Sequence, residues 1–261
     1  MPFCTLLEVY YVSYINRQGL KAGVGEKEIL HGIDLVINPG ETHVFMGPNG
    51  AGKSTLGNAI MGHPAYEVTE GSITYGDLDL LEETADKRAK AGLFMTFQNP
   101  IEVPGITVAN FMRNAIEMRT GERVKLWNFR KKVKEIANIL TIPEDYADRD
   151  LNVGFSGGEK KKAEILQLLI LDPDLAILDE TDSGLDVDAV RVVSKGIQEF
   201  QKKEGKSLFI ITHNAAILEA LDVTHTHILV DGKIVKSGGP ELIDEIFTEG
   251  FEKYIEAEKA E

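Results

Sequence analysis

The stretch Gly47-Pro48-Asn49-Gly50-Ala51-Gly52-Lys53-Ser54 decides how the rest of the chain is read. A glycine, four free positions and Gly-Lys-Ser is the spacing of a phosphate-binding loop that joins a strand to a helix. The flanks agree: Thr42–Met46 is a short apolar run suited to a strand, and Thr55–Met61 continues as a helix. Gly47, Gly50 and Gly52 let the backbone curl with its N–H groups inward. The loop, with Pro48, Asn49 and Ala51 between them and Thr55 just after, then forms a nest for phosphate oxygens at a helix N-terminus. Lys53 is placed to reach β- and γ-phosphates, and the Ser54 hydroxyl to hold Mg²⁺. The alternative is a glycine-rich turn without a ligand, but the Lys-Ser ending serves no turn geometry.

Outward from this loop, a pattern recurs. Thr42–Met46 leads into Gly47, Leu93–Phe97 into Gln98, Leu175–Leu178 into Asp179-Glu180, and Leu208–Thr212 into His213. Continuous apolar runs separated by helical stretches are what a parallel sheet covered on both faces requires. Ligands bind such sheets beyond the carboxyl ends of the strands, so all four groups are expected on one edge. Taken singly, Gln98 reads equally as a loop residue and His213 as a structural histidine. Adjacent carboxylates after a buried strand are costly unless they meet a cation, which gives Asp179 a Mg²⁺ role and leaves Glu180 to polarise an attacking water.

Two strands, Leu6–Tyr14 and Ile29–Ile37, are expected before the loop, with Asn16–Glu26 as a long glycine-rich hairpin loop. Gly71–Tyr75 reads as a strand and the region from Leu80 to Lys90 as an acidic helix. From Pro100 to about Leu171 the pattern is helical, in Val108–Arg119, Asn128–Leu140 and Gly158–Leu171. The expected organisation is one domain: residues 1–98 and 172–261 form a nucleotide-binding core with a β lobe, and residues 99–171 an inserted helical subdomain. Near the end of that insertion, Ser156-Gly157-Gly158-Glu159 opens a helix and offers a second anion site. One chain has no evident need of it; two chains facing head to tail would use it. After His213 the sequence predicts a helix at Ala215–Leu221, strands at Thr226–Val230 and Lys233–Ser237 joined by Asp231-Gly232, and acidic helices from Pro240 onward.

Composition narrows the function. The chain has 261 residues, 43% hydrophobic, and no apolar run near the length of about 18 residues that crosses a bilayer. Its N-terminus lacks the basic start of a secretory signal, so a cytoplasmic location without direct membrane insertion is expected. Cys4 is the single cysteine, which rules out an internal disulfide and a multi-cysteine metal site within one chain. A net charge of −14 argues against a general affinity for nucleic acid. Locally, Arg119–Lys134 carries seven basic residues and one acid around Trp127 and Phe129. Val124, Trp127, Val133 and Ile136 could form the apolar side of a helix pair there, leaving the charges as a solvated face or a site for an acidic protein. Single-stranded nucleic acid is the third reading.

Together these residues resemble the ATP-binding cassette (ABC) family over essentially the whole chain. Gly47–Ser54 matches its Walker A motif, Gln98 the Q-loop glutamine, Phe155–Glu159 the signature motif and Leu175–Glu180 the Walker B motif. Ser183–Asp186 matches the D-loop and His213 the switch histidine. The resemblance implies an α/β fold: an ABC-type P-loop ATPase core with a mostly parallel sheet and flanking helices, an N-terminal antiparallel β lobe and an inserted helical subdomain. It implies ATP and Mg²⁺ as cofactors, with Ser54, Gln98 and Asp179 on the metal and Glu180, Gln98 and His213 in catalysis. It also implies a dimer sandwiching two ATP molecules, in which Ser156, Gly157, Gly158 and Asp186 serve the opposite chain's nucleotide. Tyr14 either stacks on adenine or packs in its strand beside Tyr10 and Tyr11. Most such cassettes energise membrane transporters, which is the alternative reading. Phe155, Glu159 and Thr181-Asp182-Ser183-Gly184 depart from the transporter pattern. With Met61–Thr69 and Phe97–Gly105, they look like the SufC branch, whose members work with SufB/SufD-type scaffold proteins in iron–sulfur cluster assembly.

Overall fold

The computed structural model describes residues 15–260. Tyr14 and the strand expected at residues 6–14 lie outside the described residues. The chain begins with β1 (Ile15–Val24), β2 (Lys27–Ile37) and β3 (Thr42–Met46), then α1 (Lys53–Met61), β4 (Glu67–Tyr75), β5 (Leu78–Asp79), α2 (Ala85–Ala91) and β6 (Leu93–Met95). Next come β7 (Val103–Thr107), α3 (Val108–Thr120), α4 (Leu126–Ile139), β8 (Asp150–Leu151), α5 (Gly157–Leu171) and β9 (Leu175–Asp179). It continues with α6 (Val187–Gln201), β10 (Ser207–Ile211), α7 (Ala215–Leu218), β11 (His225–Val230), β12 (Lys233–Gly238), α8 (Glu241–Glu249) and α9 (Glu252–Ala260).

The central sheet runs β12-β11-β3-β10-β9-β6. Neighbours from β11 to β6 are parallel, and only the β11–β12 hairpin is antiparallel. β3, β9 and β10 are buried at every position, as their unbroken apolar runs demand. Alternate residues serve opposite faces. Val44, Ala176, Leu178 and Ile210 join a core with α3–α6, while Phe45, Ile177, Phe209 and Ile211 join a core with α1 and the antiparallel sheet β2-β1-β4-β5. Phe45 stacks on Phe209 with ring centroids 3.9 Å apart. In the β11–β12 hairpin, Asp231 (φ 44°) and Gly232 (φ 75°) make the tight turn expected there.

Several expectations need correction. Asn16–Glu26 is not a hairpin loop: most of it is β1, paired with both β2 and β4. Its glycines mark irregularities within a strand, because register shifts fall on either side of Leu20 and between Ala22 and Gly23. Leu20 and Ala22 point into the core. The turn is only the two residues between Val24 and Lys27. The acidic helix at 80–90 is a 3-10 turn, Leu80–Glu82, followed by α2. The run at Leu93–Phe97 is strand only to Met95. The segment between β6 and β9 is not purely helical, since β7 pairs antiparallel with β8. On α4 the buried residues include Phe129, Val133 and Ile136, whereas Trp127 is 81% exposed. The basic residues around it have partners of their own: Lys134 pairs with Glu144 at 2.7 Å, and Lys132 donates to the Ile170 carbonyl at 3.0 Å.

Candidate functional site

The carboxyl ends of β3, β6, β9 and β10 do converge. Ile211 is in register with Asp179 and with Phe45, and Met95 with Ile177. The residues that follow therefore emerge along one edge: Gly47, Gln98, Glu180 and His213.

The loop after β3 needs its glycines for reasons inside this chain. Gly47 has φ 152°, and a Cβ there would sit 2.1 Å from the Leu229 carbonyl oxygen. Gly52, at φ 101°, caps α1, and a Cβ would come within 2.7 Å of Leu30 Cδ2. Lys53 is buried, and its ammonium donates to the carbonyls of Gly47 at 2.7 Å and Pro48 at 3.0 Å. Burial lowers its pKa, while the carboxylates of Glu180 and Asp179 act in the opposite direction. The cation is thus folded back onto its own loop, donating to acceptors that phosphate oxygens would outcompete.

Ser54 Oγ donates to Asp179 Oδ1 at 3.0 Å. Asp179 is 2% exposed, and burial pushes its pKa up, with the neighbouring Glu180 charge adding to the effect. A hydroxyl and a buried carboxylate with a raised pKa form a hard oxygen donor pair short of positive charge, which fits Mg²⁺. Gln98 Nε2 donates to Glu180 Oε2 at 3.0 Å, so the two sequence-expected residues meet. Glu180 itself has φ 46°, a left-handed conformation that costs a non-glycine residue about 1 kcal/mol or more. It is held there by its N–H donating to the Ile211 carbonyl at 2.9 Å. His213 stands exposed at the same edge, its ring edge-on to Phe251 with centroids 6.3 Å apart. Desolvation and the Lys53 charge hold its pKa below the usual imidazole value.

Lys53, Ser54, Gln98 and Glu180 border a cleft of about 490 Å³, whereas Asp179 and His213 are not among its lining residues. One wall is the loop from Asn49 to Thr55, with Gln98 and Glu180 at one end. The other wall is Lys27, Ile29 and His31 of β2, which sequence reading did not single out. Their signal was available only as a strand pairing, because nothing local marks which face of β2 meets the loop.

Ser156, Gly157 and Gly158 do not line this cleft. Ser156 caps α5 in a reciprocal arrangement: Ser156 Oγ accepts from Glu159 N–H, and Glu159 Oε2 accepts from Ser156 N–H at 2.8 Å. Those bonds and Arg149, 3.1 Å from Glu159, hold the Glu159 carboxyl below its ordinary pKa. Phe155 packs on Tyr146 and beneath the Arg149 guanidinium, which lies 4.2 Å from its ring centre. The two residues that depart from the transporter pattern, Phe155 and Glu159, are thus joined through Arg149. The glycines between them are bare: a Cβ on Gly157 would meet nothing within 4 Å, and one on Gly158 only Leu185 Cδ2 at 3.7 Å. Asp186 is occupied in its own chain, capping α6 through the Ala189 N–H at 2.7 Å.

Three further supports escaped the sequence. Thr96 Oγ1 accepts from Asp179 N–H at 3.0 Å. Thr212 Oγ1 donates to Asp182 Oδ1 at 2.8 Å. Most notably, Lys161 and Glu164 of α5 grip the backbone of Phe97: Lys161 Nζ donates to its carbonyl at 2.7 Å, and its N–H donates to Glu164 Oε1 at 2.6 Å. Both side chains are buried, and burial pushes the Glu164 pKa up to about 7. Their only sequence signal is two ionisable residues three apart on a helix that is otherwise mostly buried.

Comparison with known proteins agrees with this arrangement. The pattern of the ABC transporter family matches residues 30–183. Vegetative protein 296 of Bacillus subtilis (strain 168) is 48% identical over 242 residues, spanning 92% of either chain. A probable ATP-dependent transporter of Cyanophora paradoxa, ycf16, is 44% identical over 94% of this chain and 95% of its own. Among solved structures, MJ1267, an ATP-binding cassette of an ABC transporter, has a TM-score of 0.74 at 25% identity and covers 93% of this chain and 99% of its own. MJ0796, a cassette solved as a dimer in a post-hydrolysis state with ADP and phosphate, has a TM-score of 0.74 over 87% of this chain and 98% of its own. At 21% identity that second likeness speaks to the fold alone.

Proposed function

We propose, for a chain that belongs to the ABC transporter family and is an ATPase using ATP and Mg²⁺, that two copies close head to tail over two nucleotides and use that closure to move a soluble SufB/SufD-type scaffold. The observation that carries the composite site is the bare signature turn. It opens a helix at the exposed Ser156 and Gly157, lies outside its own chain's cleft, and keeps two glycines that no described intrachain contact requires.

In this reading Lys53 exchanges the Gly47 and Pro48 carbonyls for β- and γ-phosphate oxygens. Ser54, Asp179 and Gln98 hold Mg²⁺, which when bound neutralises charge on the phosphates. Glu180 leaves its Gln98 partner, accepts a proton from water, and the water oxygen bonds to the γ-phosphorus as the bond to the β-phosphate bridging oxygen breaks. His213 reaches the γ-phosphate from the neighbouring strand end. Ser156 and Gly158 of a second copy supply donors on the opposite side, so the site is complete only in the closed dimer. The inserted segment, residues 99–171, moves as the arm that carries this turn, and Phe97, gripped by α5, ties Gln98 to it.

The choice of a scaffold over a membrane partner rests on the Phe155/Glu159 arrangement and on Thr181-Asp182-Ser183-Gly184, where Asp182 bonds Thr212 beside the switch histidine. No described helix is long and apolar enough to cross a membrane, so a transporter role would need a separate membrane subunit. The probable-transporter name of the ycf16 relative supports that second reading. Tagged Glu180→Gln chain with Mg·ATP, used to capture partners from soluble and membrane fractions, separates them. Soluble scaffold proteins carrying iron and sulfide are expected; a multi-span membrane protein would replace the scaffold reading with the transporter one.

A further inference from the structure

At the opposite edge of the central sheet, away from the nucleotide cleft, lies a cluster with no part in the ATPase site. A carboxylate oxygen of Glu41 and a ring nitrogen of each of His43 and His225 all lie within 4.8 Å of one another. His43 and His225 are register partners near the amino ends of β3 and β11, and their rings lie near-parallel, 17° apart with centroids 4.4 Å apart. Along β3, Gly47 is about 13 Å further on at the usual rise per residue.

The hydrogen bonds allow an arrangement that leaves one nitrogen lone pair open on each ring. Thr224 Oγ1 donates its one proton to the Thr42 carbonyl at 2.9 Å, so toward His225 Nδ1, 3.0 Å away, it can only accept. In that arrangement neutral His225 carries its proton on Nδ1 and leaves the Nε2 lone pair open. Behind His43, Nδ1 lies 2.9 Å from His227 Nε2, and His227 Nδ1 lies 2.8 Å from Ser237 Oγ. That chain can run in either direction. Run from His43 toward Ser237, with His43 Nδ1–H donating to His227 and His227 Nδ1–H donating to Ser237, it leaves His43 Nε2 as a lone pair 2.9 Å from Glu41 Oε2. Two acceptors so close require a cation between them. A proton fills that place when the chain runs the other way, and a metal ion can replace it. An imidazole whose second nitrogen donates into a fixed hydrogen-bond chain is the usual setting of a histidine metal ligand. Glu41 is likewise anchored, accepting from Asn38 N–H at 2.7 Å and Asn38 Nδ2 at 2.9 Å.

We infer that Glu41, His43 and His225 form a second metal site, distinct from the Mg²⁺ position, for a divalent ion of the Zn²⁺ or Fe²⁺ class. Two imidazoles and one carboxylate suit those ions better than Mg²⁺, which takes oxygen ligands. Tetrahedral Zn²⁺ draws its ligand atoms to about 3.4 Å from each other. His225, the more exposed of the two rings, supplies that closure by turning its Nε2 toward Glu41 and His43.

The test is a Zn²⁺ titration of the chelator-treated full chain against a chromophoric competitor, in excess Mg²⁺ and with Cys4→Ser to silence the thiol. Co²⁺ substitution then reports coordination through its visible absorption. One Zn²⁺ per chain is expected, with His225→Asn and Glu41→Gln each weakening it more than about 100-fold and Ser237→Ala about tenfold. Mg·ATP turnover of His225→Asn should stay within a factor of about two of the parent, because the site lies at the far edge of the sheet. Failure of the folded parent to bind Zn²⁺, or binding that His225→Asn and Glu41→Gln leave within tenfold of the parent, overturns the proposal. Both positions are partly exposed, and circular dichroism of each variant confirms that a loss of binding is not a loss of fold.

Discussion

Two of the glycine-rich turns that open helices, at 47–54 and at 156–158, differ in what accounts for their glycines. In the loop at 47–54 the chain's own geometry demands them: Gly47 and Gly52 sit at φ angles that side chains avoid, against Leu229 and Leu30. At 156–158 no described contact does, since a Cβ on Gly157 would meet open space, one on Gly158 only Leu185 at ordinary van der Waals distance, and neither glycine has a left-handed backbone. A glycine that folding does not require, at the exposed start of a helix where alanine is the better helix former, points to something that approaches from outside. In the proposed closed dimer the first turn serves its own chain, and the second a neighbour.

Substitutions should widen that contrast. Gly47→Ala is expected to destabilise the chain by about 3 kcal/mol or more, because its Cβ must displace the Leu229 carbonyl from a left-handed position. Thermal or denaturant unfolding reads this directly, and a loss below 1 kcal/mol would mean that the loop is not held as described. Gly158→Asp should do the reverse. A carboxylate in the first turn of α5 is neutral or mildly stabilising, within about 1 kcal/mol, while its charge opposes the phosphates of a facing nucleotide. ATP turnover should fall about 100-fold with the melting curve unmoved. Parallel losses of stability and activity would show the turn to be structural after all.

The smallest effect concerns the link between the turns. Lys161 and Glu164, about one and two turns beyond Gly158, hold Phe97 and so connect α5 to Gln98. With its pKa pushed up to about 7 from 4.5, Glu164 keeps a proton in the folded state that the unfolded chain has already released between those pH values. Its contribution to stability therefore falls as pH rises from about 4.5 to about 7 and is flat above, with a slope of at most about 1.4 kcal/mol per pH unit. Glu164→Gln should remove that slope. An unchanged profile would place the titration elsewhere, with the Lys161 charge keeping Glu164 ionised throughout.

What the sequence made legible and what it hid divide along the range of the interactions. The phosphate loop and the four strand ends are encoded within a few residues, and each stands where its pattern places it; the reciprocal cap at Ser156–Glu159 is just as local, but reading that turn as an anion site passed over it. The two-residue Asp231-Gly232 turn is of the same kind. The strand β1 was hidden because glycines that signal loops here mark bulges, and only pairing with β2 and β4 reveals which. Trp127 and Phe129 are two apart on one helix, and composition cannot say which faces inward; packing against the α5–α6 layer chose Phe129. The grip on Phe97 spans more than 60 residues of sequence, from 97 to 161 and 164, and has no local signature. The Glu41–His43–His225 cluster likewise exists only once β3 and β11 lie side by side.

The central claim, that each nucleotide site is built from two chains, is tested most directly by mixing two inactive variants. Lys53→Ala loses the phosphate loop but keeps a sound signature turn, and Gly158→Asp does the opposite. If the turn acts across the dimer, a mixed pair contains one intact site, and equimolar mixing should restore about a quarter of parental turnover by random assortment of symmetric partners. If both functions belong to a single chain, the mixture stays as inactive as its components, and the two-chain site is wrong.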